Sequence, residues 1–206
     1  MDSIPEFYPD SDDTYLLIDA LELDFGNQVI PKSRDLVSVE VGPGNGLVSK
    51  SWLNLCRSRD VQVFHMAIDV NRHAAIETQS QCLEAGLPVD CVLGDMLSFT
   101  RSDVKVDVIF CNPPYVPSSP INRARDIRAS YAGGDRGREF IDEFLPVVAH
   151  KLHPDGMFYF LLEKRNDIDE VLKIASEKYQ LVSTFVNDRK IRGEHLFVYR
   201  FQFSPS

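Results

Sequence analysis

Leu36-Val37-Ser38-Val39-Glu40-Val41-Gly42-Pro43-Gly44-Asn45-Gly46 is a largely apolar run that breaks into a glycine-rich turn. An apolar run without strict alternation fits a strand buried on both faces of a parallel sheet. Beyond it Val48, Trp52, Leu55 and Cys56 recur at helical spacing, so the order is strand, glycine turn, helix. A nucleotide-binding loop requires that setting. Glycines let the backbone approach a ligand closely and turn sharply into the helix. The third glycine comes one position early for the dinucleotide fingerprint, and no Gly-Lys-Ser/Thr follows, which argues against nucleoside triphosphates. A tight strand-to-helix turn with no ligand has the same appearance.

The neighbouring runs narrow the choice. Val61 to Ile68 leads into Asp69-Val70-Asn71, and an acidic residue closing a second strand is placed to bond ribose hydroxyls. Asp69 could equally cap the next helix, a role open to Asn71 as well. Val89 to Leu93 leads into Gly94-Asp95-Met96, where Asp95 can accept from an adenine amino group while Met96 packs on the ring. Val106-Asp107-Val108-Ile109-Phe110-Cys111 ends in Asn112-Pro113-Pro114-Tyr115. Glu40, Gly42, Asp69, Asp95 and Asn112 thus close four successive expected strands, at the end where open α/β sheets bind ligands. Asn112 offers an acceptor and a donor on one planar group. Pro113 and Pro114 stiffen the chain and leave their carbonyls free as acceptors. Tyr115 adds a flat face for stacking. The set suits gripping a planar NH2 group, its protons going to the Asn112 oxygen and a proline carbonyl. Such a nitrogen is a poor nucleophile, so position must do much of the work. Taken alone, Asn-Pro-Pro is also ordinary punctuation at a strand end.

These residues together resemble the motifs of class I S-adenosylmethionine-dependent methyltransferases, and the Asn112–Tyr115 tetrad marks members that methylate planar exocyclic or amide nitrogens. Tyr8-Pro9-Asp10-Ser11-Asp12-Asp13-Thr14-Tyr15-Leu16-Leu17 is similar to the Tyr-x-Pro-x-Glu-Asp-Thr opening of the release-factor glutamine methyltransferases, with the proline displaced and Asp12 in place of Glu. Tyr131-Ala132-Gly133-Gly134-Asp135-Arg136-Gly137-Arg138-Glu139 resembles their Ala-Gly-Gly-x-x-Gly segment. The likeness covers nearly the whole chain and is strongest to the short eukaryotic and archaeal branch; bacterial members carry an extra helical domain for which this sequence has no room.

The resemblance implies that Thr14, Glu40, Gly42, Gly44, Asp69, Asp95, Met96 and Asn112 hold S-adenosylmethionine. Asn112, Pro113, Pro114 and Tyr115 would orient the glutamine amide of a Gly-Gly-Gln loop in a class-1 release factor. No general base is evident. Tyr115 or Tyr8 would face the sulfonium charge. The resemblance also implies a small zinc-binding activator shared among translation-related methyltransferases. The expected third strand, Pro88 to Leu93, is an edge in the implied order with alternate apolar residues Val89, Cys91 and Leu93, a pattern that invites pairing with another chain. The main alternative is an adenine or guanine amino-methyltransferase acting on a flipped base. A non-catalytic subunit that keeps the fold to present a surface is the third.

Composition sets bounds on these readings. The 206 residues, 44% of them hydrophobic, suffice for one domain with a proper core. Cys56, Cys82, Cys91 and Cys111 are scattered, with no metal-binding spacing, and read as reduced core thiols of a cytoplasmic protein, with the nucleus as a second location. No metal site is expected. No signal pattern is evident, and no apolar run approaches the roughly 18 residues of a membrane span. A net charge of −9 argues against a self-sufficient nucleic-acid binder. A local exception is Arg123, Arg125, Arg128, Arg136 and Arg138, in a stretch from Pro117 to Arg138 that reads as a mobile loop beside the site.

The expected architecture is α/β and Rossmann-like, a single domain after a tail over residues 1–11. A helix from about Asp12 to Leu23, with Asp12 as its N-cap, precedes the alternating strands and helices. A helix over Phe140 to Val148 is expected to kink or split near Pro146. Met157 to Leu162 reads as a fifth strand and Asp167 to Tyr179 as a helix. Leu181 to Asp188 and His195 to Phe203 read as a terminal hairpin turning at Arg192-Gly193. The resemblance implies a mostly parallel seven-stranded sheet, its last strand antiparallel and inserted, with helices on both faces.

Overall fold

Each apolar run becomes a strand. In the computed structural model, which describes residues 10–30, 35–98, 101, 103–119 and 131–204, β1 (Leu36–Val41), β2 (Val63–Asp69), β3 (Asp90–Leu93), β4 (Val106–Cys111) and β5 (Leu152–Glu163) lie parallel. The hairpin strands β6 (Leu181–Ile191) and β7 (Glu194–Phe203) complete the sheet, with β7 antiparallel to β5. The order β3-β2-β1-β4-β5-β7-β6 inserts the last strand between β5 and β6 and makes β3 an edge, both as implied.

The period-2 alternation of the strands divides the interior into two layers. Val108 and Phe110 of β4, with Met157, Tyr159 and Leu161 of β5, meet helices α1 (Asp12–Gly26) and α2 (Leu47–Ser58), joined by Cys82 of α3 (Arg72–Glu84). Ile109 and Cys111, with Phe158, Phe160 and Leu162, meet α4 (Glu139–Lys151) and α5 (Ile168–Tyr179) on the other face. Both faces of the central strands are therefore covered, as parallel strands require.

Four details depart from the sequence reading. The first helix runs to Gly26, and Ser11, not Asp12, precedes its first turn. The third strand starts at Asp90, two residues after Pro88. The fifth starts at Leu152, because Leu152 pairs with Val106 before the register shifts to Val108 opposite Met157. His153 to Gly156, outside the expected fifth strand, is a bulged excursion inside it. Finally, α4 passes through Pro146 without splitting. Pro146 lies on the exposed face, while Ile141, Phe144, Leu145 and Val148 anchor the opposite stripe.

Candidate active site

Strand register brings the motif residues into one row. Val41 pairs with Ile68 on one side and Cys111 on the other, and Asp69 pairs with Leu93. Gly42, Asp69, Gly94 and Asn112 therefore emerge side by side from β1, β2, β3 and β4. The Gly42 amide donates to Ile68 at 2.8 Å and the Gly94 amide to Asp69 at 3.0 Å. A Cβ on Gly42 would lie only 3.9 Å from the Asn112 carbonyl oxygen, so the glycine loop and the Asn-Pro-Pro segment are immediate neighbours. Between β1 and β4 the chain reverses its direction of winding, the crevice where such sheets bind ligands.

The glycine loop is held from two sides. Asp69 accepts from the amides of Asn71 at 2.8 Å and Gly44 at 3.4 Å. Burial pushes its carboxyl upward, against those same donors. Asn71, not Asp69, caps α3, its side chain accepting from the His73 amide. Gly46 has φ +82°, and a Cβ there would meet the Thr78 Cα at 2.7 Å, so only glycine allows α2 and α3 this approach. From above, Asn45 donates to Asp10, which draws the opening motif onto the loop. Thr14 is buried in the first turn of α1 beside Asp13, whose carboxylate accepts from the Thr14 amide at 2.7 Å. Asp95 is exposed, and Met96 beside it is buried with φ +50°.

Asn112 shows the one feature here without internal compensation: its Oδ1 is buried and has no hydrogen-bond partner. Tyr115 differs from expectation. It is only 5% exposed, packed in the core, and its hydroxyl donates to Asp13 at 3.1 Å and lies 3.4 Å from Glu194. It ties the Asn-Pro-Pro segment to α1 rather than offering a free face for stacking. Tyr8, the other aromatic considered for the sulfonium, lies outside the described residues.

Glu40 is buried and accepts from the Ser49 hydroxyl. Ser49 also bonds His65 Nε2 at 2.8 Å, His65 Nδ1 lies 2.9 Å from Ser38 Oγ, and the Trp52 indole donates to Ser38 at 2.9 Å. Burial raises the Glu40 carboxyl from 4.5 to about 8 and lowers the His65 imidazole from 6.5 to about 3. The linkage has opposite signs. Between 4.5 and 8 the folded Glu40 holds a proton that the unfolded chain gives up, so stability falls as pH rises. Between 3 and 6.5 the unfolded His65 binds a proton that the folded one refuses, so stability falls as pH drops. The two slopes overlap and largely cancel from 4.5 to 6.5. Calorimetry of the ligand-free protein should place the highest Tm in that window; a Tm still climbing from pH 6.5 to 8 would contradict this arrangement.

No family model matches the chain. Among individual relatives, the methyltransferase HEMK2 of Homo sapiens is 33% identical over 199 residues, spanning 95% of this chain and 89% of the relative. The chain belongs to the HEMK2 methyltransferase family. The eRF1 methyltransferase catalytic subunit mtq2 of Schizosaccharomyces pombe is 27% identical over 208 residues, covering 95% of this chain and 88% of the relative. Among solved structures, the E. cuniculi Mtq2-Trm112 complex, responsible for methylation of the eRF1 termination factor, matches with a TM-score of 0.71. That match has 26% identity and covers 97% of this chain and all of the other.

In this HEMK2-family chain several residues around the site have no motif to announce them. Asn166, fully buried after β5, donates to the carbonyls of Tyr115 at 2.8 Å and Arg136 at 3.1 Å and accepts from the Glu163 amide at 2.8 Å. It fastens the Asn-Pro-Pro-Tyr segment to the Gly-Gly segment. A Cβ on Gly137, at φ +68°, would collide with the Tyr115 carbonyl oxygen. The acidic residue ending β5, Glu163, was the available signal, since it closes a fifth strand as Glu40 and Asp69 nearly close theirs.

The arginine cluster is partly committed to ion pairs. Arg138 is buried against Asp142 at 2.6 Å and Glu170 at 3.0 Å, and Arg136 contacts Asp167 at 3.1 Å and Glu170 at 3.0 Å. Neither presents a free cation for phosphates. Arg123, Arg125 and Arg128 lie outside the described residues. Both described ends of the 117–138 stretch are tied down, by a bridge between Val116 and Ala132 and a 2.9 Å bond from the Ser118 amide to Gly134.

Proposed function

We propose that this chain transfers a methyl group from S-adenosylmethionine to the side-chain amide of the glutamine in the Gly-Gly-Gln loop of a class-1 release factor. It would act as the catalytic subunit beside a small zinc-binding activator. The observation that carries the reading is the buried, unpaired Oδ1 of Asn112 at the end of β4, next to the glycine loop. A buried acceptor left without a donor costs about 1–3 kcal/mol, which an incoming N–H recovers. A glutamine amide offers two such protons, the second to the Pro113 carbonyl.

The donor set fits the cofactor. Gly42 and Gly44, both at positive φ, turn the loop without side chains, Asp69 borders it for ribose hydroxyls, and Asp95 and Met96 flank the place for an adenine. Thr14 and Glu40 close the methionine end. When bound, the cofactor supplies an electrophilic methyl group on a sulfonium. This chain's residues would hold the amide in line and accept hydrogen bonds from its two N–H groups. As the N–CH3 bond forms the methyl–sulfur bond breaks, a neutral thioether leaves, and one amide proton is released to solvent, so no side chain need act as a strong base. Catalysis is then chiefly alignment plus electrostatics.

Relatives named for eRF1 methylation, including one solved with Trm112, support the substrate and the partner. The partner fits the β3 edge, where Leu93 is 59% exposed and neighbouring elements expose Phe64, Ile76 and Leu83. Edge strands of this kind pair with a second chain. Leu93→Lys should abolish co-purification with the activator while leaving cofactor affinity within twofold; undiminished pull-down would displace the interface from this edge. The four thiols, all unpaired, fit the reducing cytoplasm or nucleus. Nucleic-acid methylation is disfavoured by the pairing of Arg136 and Arg138 and by the net charge of −9.

The deciding experiment incubates the chain, with and without activator, with labelled cofactor and a release factor, wild type or Gln→Ala in its Gly-Gly-Gln loop. Label on the wild type alone is expected. Label on neither protein, with cofactor bound, would bring nucleic-acid substrates forward.

A further inference from the structure

The buried path from Trp52 to Glu40 has a direction. An indole N–H only donates, so Ser38 Oγ must accept it. The hydroxyl proton of Ser38 is then best used on His65 Nδ1, 2.9 Å away. A neutral imidazole with its lone pair on Nδ1 carries its proton on Nε2, and that proton points at Ser49 Oγ at 2.8 Å. The Ser49 hydroxyl proton is left for the Glu40 carboxylate. Each of the three inner members, Ser38, His65 and Ser49, then donates one proton and accepts one. The reverse path carries the proton on Glu40, the state that burial favours below about pH 8, so the forward polarity belongs to the ionised carboxylate.

We propose that His65 is a positioning residue for cofactor binding: through Ser49 it orients a hydroxyl proton onto Glu40 and favours the ionised carboxylate at the cofactor loop. This rests on the reading that a cationic sulfonium cofactor binds beside Glu40. Ser38 and His65 lie within the first two apolar runs, but neither is a candidate site residue by sequence. The ring is also stacked on Phe110, with centroids 5.6 Å apart and planes 10° from parallel, so its rotation is fixed by packing. The surrounding titratable groups are Asp69 on β2, Cys82 on α3, Cys91 on β3 and Cys111 on β4, with Lys50 on α2 near Cys82. Burial drives Cys82 to about 11 and Cys91 to about 12, with Cys111 well above its usual value, so the thiols stay neutral through pH 9. Asp69 is retained in every variant, and its charge adds to the burial that raises Glu40.

The test is the pH dependence of S-adenosylmethionine affinity, by calorimetry in buffers of differing ionisation enthalpy so that proton release is counted as well. His65→Phe keeps the ring against Phe110 but removes both nitrogens. Its affinity is expected to be about tenfold weaker than wild type at pH 7 and within twofold at pH 9, with more protons released on binding at pH 7, the signature of a proton held about one unit more tightly on Glu40. His65→Gln, which restores a donor toward Ser49, should recover most of the loss. Ser49→Ala should reproduce the pH-dependent defect, and it carries the test should His65→Phe not fold. Unchanged affinity in these variants, or a loss equal at pH 7 and pH 9, overturns the inference: the network would then be packing alone. A wild-type chain that binds no S-adenosylmethionine at any pH fails the cofactor reading itself, a separate outcome.

Discussion

Asn112→Ala is expected to lower the rate of methyl transfer at saturating cofactor by at least about a hundredfold, the scale set by misplacing a reacting group. The same substitution should leave the thermal midpoint unchanged or slightly higher. That second half sets it apart from ordinary core mutations. Most truncations of a buried asparagine strand a partner, but the Asn112 oxygen has none, so the folded protein loses only a group already deprived of solvent. Cofactor affinity should stay within a few-fold, because Gly42 and Asp69 are held by their own contacts to Ile68, Gly44 and Asn71. Single-turnover assays beside a melting curve separate the two effects. A variant with full activity would remove Asn112 from the chemistry, and a large fall in stability would show the oxygen to be paired.

Asn166→Ala should show the reverse balance. The side chain satisfies the Tyr115, Arg136 and Gly137 carbonyls and the Glu163 amide, all backbone groups on three separate segments. Cutting it leaves buried polar groups unpaired at about 1 kcal/mol or more each, for a loss of roughly 3 kcal/mol by urea denaturation. The Tyr115 carbonyl is two residues beyond Pro113, so the slackened segment should also lower the transfer rate about tenfold by misalignment. Cofactor affinity should hold within twofold, since the hydrogen bonds of Asn166 go to Tyr115, Arg136, Gly137 and Glu163 and not to the glycine loop. If the rate stays at wild-type level in a destabilised variant, Asn166 supports the fold and not the alignment.

What could be read from the sequence follows from how parallel strands are buried. β1 and β4 carry long apolar stretches because both their faces are covered, and the polar residue that ends each stretch marks the ligand side. Glu40, Gly42, Asp69 and Asn112 were legible for that reason. The start of β5 was not, because His153-Pro154-Asp155-Gly156 has the composition of a turn and only its pairing partner on β4 reveals a strand. Continuity of α4 was hidden for a similar reason: the stripe from Ile141 to Val148 outweighs one proline on the wet face. The role of Tyr115 depended on Asp13 and Glu194, far away in the chain, and an aromatic ring serves a core or a ligand equally well. Ser49, His65 and Asn166 act through side-chain hydrogen bonds that leave no periodic trace.

The two borders of the sheet are unlike each other. β3 is four residues long and ends in exposed Leu93, whereas β6 is eleven residues long and carries an extra residue, Val186, between Phe185 opposite Tyr199 and Asn187 opposite Val198. That bulge breaks the even ladder, and Asp188, Arg189 and Lys190 follow it. A strand added at β3 extends the sheet, but the same sheet presents no matching straight border at its far side. A chain pairing at β3 would therefore prolong the sheet in one direction alone, since the bulged border offers no even ladder to continue it.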